Sequence, residues 1–407
     1  LTNRMKSMQD LVKRDLRHIW HPCSQMKDYQ SFPPLVIKQA QGALMTLDNG
    51  NTIIDAISSW WCKSLGHNHP ELKAALQKQL DQFEHVIGVN TCQEVVVKLS
   101  EKLCALQPGL NKIFYAGDGS CAVEAALKMS LQARVNLGDN KRKHFIALEN
   151  SYHGETLATL SMSDLGLYKD PYKDYLFEPH FISKVPYVSG ETDALWLDCE
   201  AHWQQHIVPQ LEPLKDTATA VMVEPLIQGA GGMRIYSLDF LKRLRAWTRV
   251  NNIHLIADEI MTGMGRTGRY FACQHADITP DFVCLSKALT SGWLAFSALL
   301  TTDALYECFY DDYETGKSFL HSHTYSCNAL AASIALATLN ILERDNICQQ
   351  ATELGKQMLT LFNDINKRQH CFSTIRQLGA VVAADLNVNN NHPARLGYHV
   401  YQRATEL

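Results

Sequence analysis

The stretches Ile256-Ala257-Asp258-Glu259-Ile260 and Val283-Cys284-Leu285-Ser286-Lys287-Ala288-Leu289 decide how this chain folds. Ile253-His254-Leu255-Ile256-Ala257 is short, β-branched and mostly apolar, the pattern of a strand buried on both faces of a parallel sheet. It stops on a carboxylate, Asp258, and runs on into Met264-Gly265-Arg266-Thr267-Gly268. Phe282-Val283-Cys284-Leu285 has the same character and delivers Lys287 just past its end. In an open parallel sheet, ligands sit outside the carboxyl ends of the strands. An acid and a lysine that both leave such strands point to a ligand that needs both.

The chemistry narrows that ligand. A lysine walled by apolar groups loses solvation in its charged form, so its free amine becomes available to attack a carbonyl. A carboxylate facing a pyridine nitrogen keeps the ring protonated, which makes pyridoxal phosphate an electron sink. Taken singly, Asp258 reads better as a turn cap and Lys287 as a surface lysine, because both are common. The rest of the chain has to decide.

Outward from these strands, the pattern repeats. Lys112-Ile113-Phe114-Tyr115-Ala116, His144-Phe145-Ile146-Ala147-Leu148, Ala218 to Val223 and Phe296 to Thr301 read as strands. Helices are predicted over Ala122–Ala133, Leu238–Val250, Ala329–Leu342 and Gln349–Phe362. This alternation argues for an α/β fold with a parallel sheet and right-handed crossovers. Gly117-Asp118-Gly119-Ser120 joins a strand to a helix, where backbone N–H groups and the helix dipole favour an anion. An ordinary turn with Ser120 as N-cap fits equally well. Tyr152 follows another strand end and could stack on a flat ring.

Before this core, the segment from Met8 to Trp20 has helical spacing. A small meander follows, with Asp48-Asn49-Gly50-Asn51 as its hairpin turn. Trp60 and Trp61 are read as neighbours in a strand, facing opposite ways, one of them toward a pocket. His67 and His69 read as turn residues rather than metal ligands, since no carboxylate cluster accompanies them. From Pro70 to Leu106 the pattern is helical with a break near Gly88. At the far end, Val381 to Leu386 is a predicted strand and Pro393 to Leu407 a predicted helix.

At 407 residues the chain has room for two lobes, and 46% hydrophobic with 20% charged residues describes a globular protein. A net charge of −4 gives no reason to expect nucleic acid or an anionic membrane as partner. No apolar run approaches spanning length, and the start of the chain is polar, so a cytoplasmic location is expected. The twelve cysteines lie singly, as reduced core residues do, and no metal is expected.

Together these pieces resemble the class III aminotransferases, which are fold-type-I pyridoxal-phosphate enzymes. The likeness covers nearly the whole chain. Its markers are Ile256-Ala257-Asp258-Glu259, Gly263-Met264-Gly265-Arg266-Thr267-Gly268, Pro280-Asp281 and Ser286-Lys287-Ala288-Leu289. Within the class, His18-Ile19-Trp20-His21-Pro22, Ser58-Ser59-Trp60-Trp61, Gly66 to Pro70, Ser151 to Thr156 and Glu224 to Met233 are similar to the members of biotin biosynthesis. Those members aminate 8-amino-7-oxononanoate with S-adenosylmethionine as donor. The resemblance implies a large domain with a mostly parallel sheet and a smaller α+β domain made from both chain ends. Its boundaries are expected at 1–57 and 329–407 for the small domain and linking helix, and 58–328 for the large one.

The resemblance also implies roles. Lys287 would carry pyridoxal 5'-phosphate and move the reaction's proton. Asp258 would pair with the ring nitrogen and Tyr152 would stack on the ring. Gly119 and Ser120 would bind the phosphate, with Thr324 reaching it from the second subunit of a homodimer. Glu224 would support the pyridine side. Trp60, Tyr152, Lys287 and Ser322 would meet substrate. Two departures stand out. Cys23 replaces a tyrosine found in some members. A family segment beyond Leu407, carrying an arginine for the keto-acid carboxylate, has no counterpart in this sequence and is expected to be missing from it. The rival readings are another ω-amino-acid transaminase, with lysine for example as donor, and a pyridoxal-phosphate decarboxylase or aminomutase. Loss of catalysis altogether is disfavoured by the joint presence of Lys287, Asp258 and the phosphate turn.

Overall fold

Seven apolar runs, too short and too β-branched to be stable helices, pair into one sheet. A computed structural model describes residues 2–388 and 395–406. The strands are β1 (Lys112–Ala116), β2 (His144–Leu148), β3 (His180–Ile182), β4 (Ala218–Val223), β5 (His254–Asp258), β6 (Phe282–Leu285) and β7 (Ser297–Thr301). Their order across the sheet is β1-β7-β6-β5-β4-β2-β3. β5 is parallel to both β4 and β6, and only β7 runs against its neighbours. Both faces of the central strands are covered. Leu255 packs into one core with Val221, Val223, Leu241 and Leu244, while Ile256 packs into another with Met222, Phe282, Cys284 and Leu299. Successive side chains of a strand point to opposite faces, so a continuous apolar run is what a sheet between two helical layers requires.

Helix α1 (Gly119–Asn136) lies on the second of these faces and buries Ala122, Ala125, Ala126 and Ala133, small side chains that allow a close approach. Helix α2 (Leu238–Val250) covers the other face and is capped by the Ser237 hydroxyl, which accepts from the Phe240 N–H. Two longer helices follow, α3 (Ala329–Arg344) and α4 (Ile347–Gln369), then a hairpin of β8 (Phe372–Leu378) and β9 (Val381–Leu386). β3 and β8 carry too little alternation to have been predicted; neighbours in the sheet supply the pairing that their sequences do not advertise.

Two compact units are distinguished: residues 61–64 with 71–387, and residues 1–60 with 65–70 and 388–407. The sheet, α1 to α4 and the β8–β9 hairpin belong to the first. The second has a helix over Thr2–His18 and a three-stranded antiparallel sheet of Ile37–Gln41, Leu44–Leu47 and Thr52–Ile54. It also has a helix over Leu396–Glu406; residues 393, 394 and 407 of that prediction lie outside the described residues. His67 is a turn residue here, its Nε2 2.8 Å from the Asp55 carboxylate, which also accepts from the Ser59 N–H and hydroxyl.

One local prediction fails. Ser58, Ser59, Trp60 and Trp61 do not form a strand but a left-handed turn, with φ of 52°, 45°, 71° and 67°. Four successive L-residues in this region are costly, and the Asp55 carboxylate offsets part of the cost by taking both polar hydrogens of Ser59. Trp60 is 53% exposed.

The start of β5 is fastened by a charge pair. The Asp281 carboxylate accepts from both terminal nitrogens of Arg245, at 2.7 and 3.2 Å, and from the Leu255 N–H at 2.7 Å. Arg245 is 8% exposed. Replacing Asp281 by Ala leaves that guanidinium without its partner, and should cost about 3 kcal/mol, measured as a lower midpoint in urea unfolding.

Candidate active site

Parallel register brings the two opening stretches together. Asp258 pairs with Cys284 across β5 and β6, so the acid and the lysine three residues beyond Cys284 emerge at the same edge. Asp258 is only 4% exposed. One of its oxygens lies 2.8 Å from His153 Nδ1, and the other accepts from the Ile260 N–H at 3.1 Å. Lys287 sits in the left-handed region at φ 45°, a conformation that non-glycine residues hold only when their surroundings impose it. Burial pushes its amine below the usual lysine range, and the Asp258 and Glu224 carboxylates oppose this. Its Nζ lies 4.6 Å from the centre of the Trp61 ring.

Both residues line a cavity of about 420 Å³ together with Gly119, Ser120, Tyr152, Glu224 and Trp61. The cap of α1 is the Asp118 carboxylate, which accepts from the Cys121 N–H at 3.0 Å. Ser120 is therefore not the N-cap, and it stands in the first turn of the helix. Gly154, at φ 131°, faces it so closely that a Cβ would collide with the Ser120 hydroxyl. Tyr152 donates its backbone N–H to Glu224 at 3.0 Å and its hydroxyl to Glu155 at 2.8 Å.

Glu224 is fully buried among these groups. Its second oxygen accepts from the Gly229 N–H at 2.8 Å. Burial pushes its carboxyl up to about 7, with Asp258 adding to the rise and His153 and the two N–H groups opposing it. The nearby Glu259 plays a different part: its carboxylate takes the Thr262 hydroxyl and the N–H groups of Ala272 and Cys273, which folds the loop between them. That loop carries Arg266, which donates to the Trp61 carbonyl at 2.6 Å.

Thr324 and Ser322 are exposed and do not line this cavity; the Thr324 carbonyl lies 3.0 Å from His85 Nε2. Cys23 is exposed, and none of the twelve cysteines is in a disulfide. Sequence reasoning missed two residues. His153 stands next to Tyr152 in a quoted motif, but nothing in its spacing announces a bond to Asp258. Trp61 lines the cavity, on a turn where a strand was expected. Among the described residues, no cluster of histidine, cysteine and carboxylate could hold a metal ion.

A helix N-terminus with a free hydroxyl, a buried carboxylate and an amine weakened as a base suit an anionic phosphate, a ring nitrogen and a carbonyl in turn. Residues 25–406 match the family model for aminotransferase class III. The chain belongs to that family. It is a pyridoxal-phosphate-dependent aminotransferase of the fold-type-I architecture. The adenosylmethionine-8-amino-7-oxononanoate aminotransferase of Helicobacter pylori is 40% identical over 403 residues, covering 98% of this chain and 90% of that protein. Its counterpart in Aquifex aeolicus is 36% identical over 92% of this chain and 83% of that protein. The crystal structure of the Methanocaldococcus jannaschii enzyme of the same name aligns with a TM-score of 0.88 at 30% identity, covering 98% of this chain and 90% of that one. An omega transaminase from Pseudomonas jessenii, in complex with PMP, aligns with the same TM-score at 25% identity, over 97% of this chain and 89% of that one.

The environment of Lys287 has a measurable consequence in this aminotransferase. A group that gives up its proton early becomes nucleophilic at lower pH. Labelling of Lys287 in the cofactor-free protein by trinitrobenzenesulfonate should therefore rise through a midpoint below 10.5. Asp258→Ala removes a neighbouring negative charge and should move that midpoint lower still, as read by mass spectrometry of the labelled peptide.

Proposed function

We propose that this aminotransferase passes an amino group from S-adenosylmethionine to the ketone of 8-amino-7-oxononanoate, giving 7,8-diaminononanoate for biotin. The observation that carries the reading is the shared cavity of Lys287, Asp258, Ser120 and Tyr152, in a chain 40% identical to a relative named for that reaction. Pyridoxal phosphate, when bound, supplies a carbonyl that condenses with amines and a ring that accepts an electron pair. The chain's own residues do the rest. Gly119 and Ser120 hold the phosphate at the N-terminus of α1, and Asp258 keeps the ring nitrogen protonated. Lys287 Nζ anchors the group and, once freed, moves the proton at the amine-bearing carbon. Tyr152 stacks on the ring, and Glu224, bonded to the Tyr152 N–H, supports the pyridine side. Substrate contacts are assigned to Trp60, Tyr152, Lys287 and Ser322. Each methylene of the long acceptor buried against such groups is worth about 0.8 kcal/mol.

The reading includes a homodimer in which Thr324 completes the phosphate site of the partner subunit. Its support is a patch with two defects that a covering surface would repair. Ile87, Val89, Leu320 and Tyr325 are each more than 60% exposed. The adjoining His85, His321, His323 and Ser326 each have a buried polar atom with no hydrogen-bond partner. Buried polar atoms find partners in finished assemblies, and clustered apolar exposure marks an interface. A cytoplasmic location belongs to the same reading; among the described residues no helix is long and apolar enough to cross a membrane.

Three measurements test these assignments. The visible absorption of the purified enzyme should disappear in Lys287→Ala, and a band that survives in that variant defeats the anchoring role. S-adenosylmethionine, and not lysine, should bleach the same band in the wild type; bleaching by lysine alone favours the other ω-transaminases. Finally, random re-pairing of equal amounts of Lys287→Ala and Thr324→Trp subunits should recover about a quarter of the wild-type rate, because half of the dimers are hybrids and one of the two sites in each hybrid regains both residues. No recovery from two inactive parents shows that Thr324 does not serve the partner's site.

A further inference from the structure

Arg376 lies on β8, far along the chain from every residue assigned above. It is 7% exposed, and its guanidinium is spread over three acceptors. Nε donates to the Met233 carbonyl at 2.8 Å and Nη2 to the Gly232 carbonyl at 2.5 Å. Both terminal nitrogens also reach the Asp385 carboxylate, at 2.7 and 3.0 Å. β8 is itself tied down nearby, since the Gln377 N–H donates to the Ser189 carbonyl at 3.0 Å.

The carbonyls that Arg376 holds end the turn Gly229–Met233, and that turn is a wall of the cavity. Ala230 lines it. The Gly229 N–H binds Glu224, and Gly231 is pressed so hard on the Asn150 carbonyl that no side chain fits there. Met233 holds φ at 51°, in a turn closed locally by its own N–H on the Gly229 carbonyl at 2.9 Å. The fork of one arginine adds a brace from outside the turn, in a geometry that a lysine cannot copy.

We infer that Arg376 is a positioning residue for this enzyme, fixing the turn that presents Ala230 to the substrate and the Gly229 N–H to Glu224. It acts through the turn and touches no reacting atom. Only the identity of the acceptor in its test rests on the proposed function.

The consequence falls on Glu224. The charged and titratable groups around it are His153, Asp258, Lys287 and the Tyr236 phenol. The N–H groups of Gly229 and Tyr152 are what favour its anion directly. Loosening the turn withdraws the first of these, so the carboxyl should keep its proton to higher pH. The cavity wall at Ala230 loosens with it, which weakens binding of the acceptor more than the chemical step.

The experiment compares Arg376→Met, Arg376→Lys and Asp385→Asn. In cofactor-free protein with carbon-13-labelled glutamate carboxyls, the Glu224 resonance, assigned by its loss in Glu224→Gln, is followed against pH. Arg376→Met and Arg376→Lys should both move its midpoint upward, the second variant keeping the positive charge but not the fork. In the loaded enzyme both should raise KM for 8-amino-7-oxononanoate about five- to tenfold while kcat stays within about twofold. Asp385→Asn leaves the two carbonyl bonds intact, and should lower hairpin stability with neither effect. The inference is overturned if the Glu224 midpoint and the acceptor KM stay at wild-type values in both arginine variants. It is equally overturned if Asp385→Asn reproduces their changes, because Arg376 then acts only through the stability of its hairpin. Should the wild type reject 8-amino-7-oxononanoate, the proposed function fails while the titration still decides the role of Arg376.

Discussion

The constraint on which this enzyme depends is the burial of opposite charges where two adjacent parallel strands of the central sheet end. Asp258 and Lys287 leave adjacent strands, β5 and β6, whose pairing puts both at the same end. Neither group is at ease there. Desolvation penalises each charged form, and only a specific neighbour makes the site tolerable. Asp258 has His153 and the Ile260 N–H; Lys287 has the carboxylates of Asp258 and Glu224 and the face of Trp61. The amine is weakened by burial, and those acids oppose the change. That balance is what a lysine needs in order to act both as a nucleophile and as a proton carrier.

Such a balance holds only if the walls do not move. The structure meets this demand with buried side chains that bond backbone, not with packing alone. Glu259 gathers the loop that carries Arg266, and Glu224 joins the backbone of Tyr152 to that of Gly229. Arg376 ties the end of the same glycine turn to a hairpin nearly at the end of the described chain. Backbone groups in turns have no ladder partners, so polar side chains must satisfy them wherever water is excluded. The polar groups around this cavity therefore satisfy backbone that no strand or helix partner reaches.

Much of this was legible in residue order. The strands Lys112–Ala116, His144–Leu148, Ala218–Val223 and Phe282–Leu285 have the predicted bounds, because short, largely apolar runs bounded by turn residues read as strands. Helix α2 also has its predicted bounds, Leu238–Val250. The segment Ser58–Trp61 was misread because tryptophans favour strands, and a left-handed turn of four L-residues is held by a carboxylate that spacing does not reveal. β3 and β8 escaped because their pairing comes from neighbours rather than from a pattern of their own.

By itself, then, the sequence determined the class of the fold, the strand ends that carry Asp258 and Lys287, and the glycine-serine turn at the head of α1. These follow from local rules: burial patterns, strand lengths and the chemistry of single side chains. Only the tertiary structure decided that His153 holds Asp258, that Trp61 lies over Lys287, and that Arg376 bonds the carbonyls of Gly232 and Met233. The reason is physical. Each of these is a hydrogen bond or ring contact between residues distant along the chain, and its existence depends on how the elements pack, which no local pattern encodes.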